Sequence, residues 1–475
     1  MTQYDDAIEP GTRRRPTVAE LFAGVGGFHL ALDRAGFDVV WSNQWEPSTK
    51  AQHAFACYEQ HVGQGDFQRY GRDLRGLDGT GPSTLDLSEH QAVNEDIATV
   101  LDTFEAQLSG PKKPMFPVIP DIDVLVGGFP CQDYSVAKTL RQAHGLVGRK
   151  GVLWWEIHRL LRLKLESGRP VRWLFLENVD RLLKSPSGQR GRDFAVMLSS
   201  LADLGYEVEW RVINAANYGF PQKRRRVFIV GRLGRITSSP HEQMEGSGVL
   251  ARAFPVRART PFDWTPITLD RDVKVVSDTF GIGATTSAFG NAGVMRISGT
   301  TRAPAVWTAD LDPVYAGGHE TLRDILEDAD DVPEQFFVSA EELPKWQFLK
   351  GRKSLSRISK ATGLEYTYDE GAIPFPDATD TPSRTILTGE GGATPSRFKH
   401  IIQADDGRFR RLTPRELERL NGFPGDWTVG MSDGRRAFMM GNALVVGAIE
   451  KVADELAAEI AAGEPMAVQR VAEAS

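Results

Sequence analysis

Short runs of apolar residues, each ending in a polar or glycine-rich turn, recur along the first half of the chain. Runs of this length and composition predict buried β-strands, here at 17–22, 38–42, 124–126, 173–176, 207–215 and 226–230. Apolar residues at helical spacing predict helices at 28–34, 50–60 and 151–163, then one that starts at Pro414 and one that runs to about residue 461. Strands that lead into helices in this way indicate an α/β fold.

The pattern changes between residues 236 and 400, where Gly, Ser, Thr and Pro are frequent and helical periodicity is sparse outside 321–327 and 340–349. We expect a second, smaller domain of short strands and loops there. Residues 63–90 are rich in glycine, aspartate and serine and predict a loop, and 135–149 predict a mobile active-site loop. We expect residues 1–15 and 463–475 to be disordered.

The composition is that of a globular protein of 475 residues, with 41% hydrophobic and 25% charged residues. No apolar run is long enough to span a membrane, and the polar N-terminus does not resemble a secretory signal. The chain has two cysteines, which suits a reducing cytosol and argues against disulfides or a cysteine zinc site. The net charge of −7 is not typical of a nucleic-acid binder, so any DNA contact depends on local basic clusters.

One of the two cysteines, Cys131, follows the predicted strand at 124–126. Gly127 and Gly128 allow a sharp turn or the close approach of a ligand, and Pro130 restricts the backbone beside the thiol. Open α/β sheets bind ligands at the carboxyl ends of their strands, so this is a suitable position for a nucleophile. A buried structural thiol is the alternative interpretation.

A glycine-rich turn at 23–27 follows the first predicted strand and precedes a helix, an arrangement that lets a nucleotide-like cofactor approach the backbone. Sites of this kind usually have an acid after the second strand, where this chain has Gln44, Trp45 and Glu46. Trp45 could stack on adenine or belong to the core. Asp96 could accept a hydrogen bond from a ligand or cap a helix.

Two further strand ends carry charged side chains. Glu177 ends an apolar strand, and partial desolvation there should raise the pKa of its carboxyl group. Gln222, Arg224 and Arg226 alternate along an extended segment, so their side chains should share one face. Two guanidinium groups on one face can bind a carbonyl, a phosphate or a carboxylate.

In their order along the chain, these stretches resemble the motifs of the DNA (cytosine-5) methyltransferases of the bacterial modification type. The matching stretches cover most of the chain except its middle third, and they are Phe-Ala-Gly-Val-Gly-Gly at 22–27, Gly-Phe-Pro-Cys-Gln at 128–132, Glu-Asn-Val at 177–179, Gln-Lys-Arg-Arg-Arg at 222–226, and the segments 411–424 and 440–446. The resemblance implies a Rossmann-like S-adenosylmethionine-dependent methyltransferase domain at 16–235, a strand-and-loop target-recognition domain at 236–400, and a return to the first domain at 401–462.

The resemblance also implies a role for individual residues. The implied catalytic residues are Cys131, Glu177, Arg224 and Arg226. The implied S-adenosylmethionine-binding residues are Phe22, Gly24, Val25, Gly26, Gly27, Gln44, Trp45, Glu46, Asp96, Ile97, Gly128, Pro130, Leu153 and Asn442. Gln44 departs from the acid that the family commonly shows at this position, so Glu46 could take over the ribose hydroxyls.

The implied reaction is transfer of a methyl group from S-adenosylmethionine to C5 of a flipped-out cytosine in double-stranded DNA. Cys131 would attack C6, Glu177 would hold a proton at N3, and Arg226 would stabilise charge on the base carbonyl. We expect no metal and no membrane contact, and we expect a cytoplasmic monomer. A cognate restriction endonuclease could act separately on the same DNA sequence.

Three other functions fit parts of the sequence. A tRNA cytosine-5 methyltransferase would keep the fold and the chemistry, although the long variable segment favours DNA. A catalytically silent DNA-binding protein would not need Cys131, Glu177 and Arg226. A Rossmann-like oxidoreductase fits the glycine turn alone and gives no role to Gly-Phe-Pro-Cys-Gln or Glu-Asn-Val.

Overall fold

The structure is a computed structural model, and it describes residues 15–47, 49–62, 68–70, 91–110, 118–129, 153–186, 190–259, 267–268, 289–298, 303–358 and 363–463. The two terminal segments, most of the predicted loop at 63–90 and the whole of the predicted loop at 135–149 lie outside these residues. Pro130 and Cys131 also lie outside them.

Within the described residues, eleven strands form one mixed sheet, and six further strands form three short two-stranded sheets. The strands are β1 Thr17–Leu21, β2 Asp38–Asn43, β3 Gln68–Tyr70, β4 Gln91–Val93, β5 Val124–Gly128, β6 Trp173–Val179, β7 Tyr206–Asn214, β8 Arg225–Leu233, β9 Val256–Ala258, β10 Ile267–Thr268, β11 Ala292–Ser298, β12 Ala303–Ala309, β13 Leu311–Pro313, β14 Lys353–Ile358, β15 Glu365–Glu370, β16 Ile402–Gln403 and β17 Phe409–Arg410.

Most connections between consecutive strands of the first half contain a helix. The α-helices are α1 Gly27–Arg34, α2 His53–Val62, α3 Ile97–Ser109, α4 Leu153–Glu166, α5 Arg192–Asp203, α6 Pro240–Glu242, α7 Val249–Ala253, α8 Leu343–Lys350, α9 Pro414–Leu420, α10 Asp433–Asn442 and α11 Val446–Ala462. Shorter helical turns lie at Asp180–Lys184, Ala215–Tyr218, Gln243–Ser247, Arg323–Ile325, Ala329–Asp331 and Glu334–Phe336.

The strand order of the large sheet is β10-β12-β11-β7-β8-β6-β5-β1-β2-β4-β3. The strands from β3 to β6 pair in parallel, and those from β8 to β10 pair antiparallel to their neighbours. The strand order reverses at β1, which lies between β2 and β5. In an open α/β sheet the crevice at such a reversal is where ligands bind.

Alternate residues of the central strands face opposite layers of helices, as the two-residue period of a strand requires. Leu125 and Leu174 belong to the core with α3, α4 and α5. Val124 and Phe175 belong to the core with α1 and α11. The molecule is therefore an α/β protein with a Rossmann-like sheet between two helical layers.

The segment predicted as a separate domain contributes to this sheet. β11 pairs with β7 and β12 pairs with β11, so both strands extend the antiparallel edge. The remainder of 236–400 contains the β14–β15 ribbon, α8 and short helical turns, which matches the predicted texture of short strands and loops.

The last part of the chain returns to the first layer of helices. α9 begins with a capping box, in which the Thr413 hydroxyl accepts from the Glu416 N–H and the Glu416 carboxylate accepts from the Thr413 N–H. α11 packs against α1. α10 was not predicted, because the sequence indicated only the helix that follows it.

The predicted loop at 63–90 also differs in part, because the described residues 68–70 form β3. β3 pairs in parallel with β4 at the edge of the sheet. A strand of three residues is too short to show a period-two pattern.

Candidate active site

The turn after β1 is held in a conformation that few residues adopt. Phe22, Gly24 and Gly26 have positive φ angles of 57°, 59° and 90°. Glycine adopts such angles without a steric cost. Phenylalanine adopts them only at a steric cost, so the surrounding contacts must hold Phe22 there. Within the turn, the Gly26 N–H donates to the Ala23 carbonyl over 2.9 Å.

Two residues at the end of β2 connect this turn to the next strand. The Gly24 N–H donates to Gln44 Oε1 over 2.8 Å, and Ala23 N–H donates to the Asn43 carbonyl over 3.0 Å. The Asn43 amide nitrogen donates to the carbonyls of Val93, the last residue of β4, and of Glu95 just beyond it. The carboxyl ends of β1, β2 and β4 are therefore joined into one edge.

The carboxylate of Glu46 has a local partner. Its Oε2 accepts from the Ala54 N–H over 2.9 Å, and its backbone is bound by the Gln52 side chain. Glu46 thus caps the start of α2, and Gln44 binds the glycine turn. Trp45 is half-buried between them.

Asp96 is the N-cap of α3, where its Oδ1 accepts from the Ala98 N–H over 2.9 Å. The sequence left open whether Asp96 caps a helix, and the structure shows that it does. Ile97 is buried in the core with α3 and α4. Both residues follow β4 at the same edge as the glycine turn.

A buried carboxyl group lies under the turn as well. Glu20 of β1 is fully buried, and the Tyr58 hydroxyl donates to its Oε2 over 3.1 Å. Burial raises the pKa of Glu20 to about 8, against the opposing effect of this hydrogen bond. Tyr58 also contacts Nδ1 of His29 on α1 at 2.9 Å.

Glu177 lies near the carboxyl end of β6 and is only 9% exposed. Its Oε1 is 2.7 Å from Nε of Arg226, and the two side chains form an ion pair. Burial raises the pKa of the Glu177 carboxyl group, and the charges of Arg226 and Arg224 oppose the rise. The carboxyl group therefore holds a proton more readily than an exposed glutamate.

The neighbouring strand β5 leaves room for this carboxyl group. Gly128 pairs with Glu177 across the sheet, and a Cβ at Gly128 would lie 3.1 Å from Glu177 Oε2. Asn178 is buried, and its amide nitrogen donates to the Phe129 carbonyl over 3.2 Å. Asn178 thus holds the backbone two residues before Cys131.

Arg226 is the second residue of the antiparallel strand β8 and lies beside the end of β6, since it pairs with Val179. Arg225 is exposed and contacts Asp180, so its side chain points away from the Glu177 pair. Arg226 reaches the carboxyl edge because β8 runs in the opposite direction to β6.

Arg224 is 2% exposed, and its guanidinium binds a different part of the chain from the Glu177–Arg226 pair. Its guanidinium donates to the carbonyls of Ile386 and Gly441 over 3.4 and 3.0 Å. Gln222 donates to the Leu420 carbonyl and to the Asn421 side chain. These two side chains join the strand β8 region to segments from both later parts of the chain.

The other predicted cofactor residues lie around the glycine turn or at the start of α4. Val25 and Gly27 are buried in the turn, and a Cβ at Gly27 would lie 2.9 Å from Leu444. Asn442 is exposed at the end of α10, two residues before Leu444. Leu153 is half-buried at the start of α4.

Sequence reasoning missed several residues of this edge. Asn43 and Asn178 lie at the carboxyl ends of β2 and β6, and short amide side chains at strand ends were a usable signal. Trp427, whose indole N–H donates to the Val25 carbonyl, is 402 positions from Val25 and gave no local signal.

In the described part of the chain, no group of three or more His, Cys, Asp or Glu side chains is placed to hold a metal ion. None of the helices described is long and apolar enough to cross a membrane.

The sheet, with its reversal at β1 and its glycine turn, is that of a Rossmann-like methyltransferase. Two solved structures share the fold: a Dnmt2 methyltransferase from S. pombe, with a TM-score of 0.53 at 16% identity, and the methyltransferase EhMeth from Entamoeba histolytica, with a TM-score of 0.52 at 12% identity. Each match covers 94% of this chain and 99% of the other.

The sequence model of the C-5 cytosine-specific DNA methylase family matches residues 17–80 and 110–458. The Type II methyltransferase M.Sau3AI from Staphylococcus aureus is 40% identical over 92% of this chain and 95% of its own length. M.NlaIV from Neisseria lactamica, also a Type II methyltransferase, is 26% identical over 71% of this chain and 83% of its own. The chain therefore belongs to the C-5 cytosine-specific DNA methylase family, and it is an S-adenosylmethionine-dependent DNA cytosine-5 methyltransferase.

Proposed function

We propose that this enzyme methylates C5 of a flipped-out cytosine at a specific DNA sequence through a covalent bond between Cys131 and C6. The observation that carries the proposal is the buried ion pair of Glu177 and Arg226 at the carboxyl edge of the sheet. It adjoins β5, which leads directly to Cys131.

Cytosine C5 is a poor nucleophile until another group adds to the ring. The Cys131 thiolate would add at C6, and the electron pair of the C5–C6 bond would move to C5 while N3 is protonated. Glu177 suits the N3 step because burial raises its pKa, so it can share or donate a proton there. After C5 has accepted the methyl group, with S-adenosylhomocysteine as the leaving group, a base or water would remove the C5 proton. The C5–C6 double bond would then re-form as the C6–sulfur bond breaks to release the thiolate, and N3 would return its proton.

The two arginines would act differently. Arg226 is beside Glu177 and would stabilise negative charge on the base carbonyl as Cys131 adds. Arg224 contacts backbone carbonyls of the later segments, so we assign it a positioning role for β8.

The glycine turn and the joined ends of β1, β2 and β4 fit S-adenosylmethionine. Gly24 and Gly26 adopt the positive φ angles that this tight turn needs, and a glycine-rich turn lets a ligand approach the backbone closely. Phe22, Val25, Trp45, Asp96 and Ile97 would surround its adenosine part. When bound, the cofactor supplies an electrophilic methyl group.

The target carbon is inaccessible in a stacked duplex, so we propose that the cytosine is flipped out of the helix. The segment 236–400 would choose the sequence through groove contacts. The relatives M.Sau3AI and M.NlaIV are Type II methyltransferases, which supports a place in a restriction-modification system with a separate endonuclease.

The test uses duplex DNA in which cytosine is replaced by 5-fluorocytosine, together with S-adenosylmethionine. Because fluorine cannot leave C5 as a proton does, the reaction stops while the enzyme is still bonded to C6. A DNA–protein adduct that survives denaturation is expected for the wild type and not for Cys131→Ser.

Cys57→Ser is the matched control, since Cys57 is the other cysteine of the chain. Burial raises the pKa of the Cys57 thiol to about 12, so it is a poor source of thiolate. The adduct should persist in this variant. An adduct that persists in Cys131→Ser, or labelled methyl transfer to tRNA and not to DNA, would contradict the proposal.

A further inference from the structure

Only two non-glycine residues in the described part of the chain have positive φ angles. They are Phe22, at 57°, and Asp426, at 68°. Phe22 begins the glycine turn after β1, and Asp426 lies in the loop between α9 and α10. Aspartate accepts this conformation more readily than most residues, whereas for phenylalanine it is rare and persists only where the surroundings hold it.

A single hydrogen bond joins these two turns. Trp427, the residue after Asp426, donates its indole N–H to the Val25 carbonyl over 2.7 Å. Val25 lies in the glycine turn, three residues after Phe22. The Trp427 side chain is 9% exposed, so this bond is shielded from water.

The ring of Trp427 is held from the other side by α2. His61 stacks on it at 3.7 Å between centroids, with 9° between the ring planes. Both His61 and Cys57 contact the Trp427 carbonyl.

The side chain of Asp426 is held by two helices. Its two carboxylate oxygens are bound by Arg415 of α9 and Arg436 of α10. The loop that contains Asp426 is therefore fixed to α9 and α10, and Trp427 projects from this loop towards the glycine turn.

The glycine turn has no space to spare on this side. A Cβ at Gly27 would lie 2.9 Å from Leu444 and 3.2 Å from Phe423. Residues that follow α9 and α10 thus form the outer wall of the turn. The peptide between Val25 and Gly26 is held at both ends, because its N–H donates to the Ala23 carbonyl within the turn and its carbonyl accepts from the Trp427 indole. The indole is the partner that comes from outside the turn.

We propose that Trp427 is a positioning residue for the cofactor, which sets the conformation of the Phe22–Gly27 turn through the Val25 carbonyl. The inference rests on the proposed use of this turn for S-adenosylmethionine. Without the bond the turn spends part of its time in conformations that do not bind the cofactor. The apparent affinity is then the intrinsic affinity multiplied by the fraction of the protein that remains competent to bind.

The test compares Trp427→Phe with the wild type by calorimetric titration with S-adenosylmethionine and with S-adenosylhomocysteine, in the absence of DNA. Phenylalanine keeps an aromatic ring against His61 and removes the N–H. We expect the dissociation constant for both ligands to rise roughly three- to tenfold, the usual effect of losing one buried hydrogen bond. The dissociation constant for DNA and kcat at saturating cofactor should stay within about twofold.

The matched control is Trp210→Phe, because Trp210 is also buried and its indole N–H also donates to a backbone carbonyl, that of Gly290. It should lower the melting temperature without changing cofactor affinity. Equal losses of cofactor affinity in both variants would overturn the inference, since they would reflect general stability.

A folded Trp427→Phe protein with wild-type cofactor affinity would also overturn it. If that variant does not fold, Asp426→Asn replaces it, because asparagine tolerates positive φ but loses the charge that binds Arg415 and Arg436. A dissociation constant raised about twofold or more supports the inference, and an unchanged one overturns it. Wild-type protein that binds neither ligand would overturn the proposed function as well, which distinguishes the two failures.

Discussion

At the scale of single residues, burial and charge act in opposite directions on the carboxyl group of Glu177. Burial favours the protonated form, and Arg226 at 2.7 Å favours the ionised form. The result is a carboxyl group with a raised pKa whose charge state can change as charge develops on a neighbouring base. That is the property a proton donor or holder needs.

Replacing Glu177 with glutamine keeps the shape and removes the exchangeable acid. We expect kcat for DNA methylation to fall by about 100-fold or more, the usual contribution of a general acid, with DNA affinity changed far less. Single-turnover methylation and a DNA-binding titration measure the two quantities. Glu209→Gln is the control, because Glu209 is a buried glutamate two strands away, and it should retain kcat. A wild-type kcat in Glu177→Gln would contradict the assigned role.

Glu20 gives a second prediction at this scale, on stability. Its folded pKa of about 8 lies above the ordinary value of 4.5, so the folded state binds a proton that the unfolded state releases. The stabilisation is complete below pH 4.5 and is lost as pH rises to about 8. In Glu20→Gln this loss disappears, so the free energy of unfolding should fall less between these two pH values than in the wild type.

Urea unfolding at both pH values measures the difference. Glu341→Gln is the control, because Glu341 is exposed, and this variant should follow the wild type. The prediction fails if Glu20→Gln shows the same pH dependence as the wild type.

At the scale of elements, local signals worked where the sequence carries its own hydrogen-bonding partners. The capping box of α9 is contained in Thr413 and Glu416, three residues apart, and α9 starts at Pro414, where the sequence predicts a helix start. The strands β1, β2, β5, β6, β7 and β8 were also found close to their predicted positions, since long apolar runs are buried whatever their neighbours.

The capping box can be tested directly. Thr413→Ala should lower the free energy of unfolding by about 1 kcal/mol, because an N–H of α9 loses its acceptor. Thr413→Ser keeps the hydroxyl and should lose only a few tenths of that amount. Urea unfolding of the two variants checks this. Equal stability of the alanine and serine variants would show that the cap contributes nothing.

Other elements depend on distant partners. β3 has three residues and exists by pairing with β4, and β11 is placed by its register with β7. α10 contains Gly434 and Gly441, which lower intrinsic helix propensity, so packing must supply its stability. No local pattern marks these elements.

At the scale of the whole molecule, residues 401–462 contact both the residues just before β8 and the glycine turn. Arg224 and Gln222 bind carbonyls and side chains of residues 386, 420, 421 and 441, which come from two later segments. Trp427 joins the same region to the glycine turn. The glycine turn, the segment 236–400 and α10 are therefore connected through buried contacts.

The two glycines of α10 test these contacts. A Cβ at Gly441 would lie 2.3 Å from the backbone nitrogen of Thr388, whereas one at Gly434 would meet nothing within 4 Å. Glycine to alanine normally stabilises a helix by up to about 1 kcal/mol. We expect this sign for Gly434→Ala and the opposite sign for Gly441→Ala, which must separate α10 from the segment at 387–388.

Thermal and urea unfolding measure both variants. A stabilised Gly441→Ala protein would mean that α10 does not pack closely on residues 387–388 in solution.

Apolar periodicity and motif residues are local properties, so they were enough to predict the α/β class, the order of the central strands along the chain and the chemistry available at the strand ends. The sequence also indicated that Glu177 is desolvated, since an apolar run precedes it. Packing of distant parts of the chain brings Arg226 to Glu177 and turns Arg224 towards Gly441. Packing also places Gln44 on the glycine turn and Trp427 against Val25. These contacts join positions between 20 and 402 residues apart, and their formation depends on strand order and packing, which no single stretch of sequence contains.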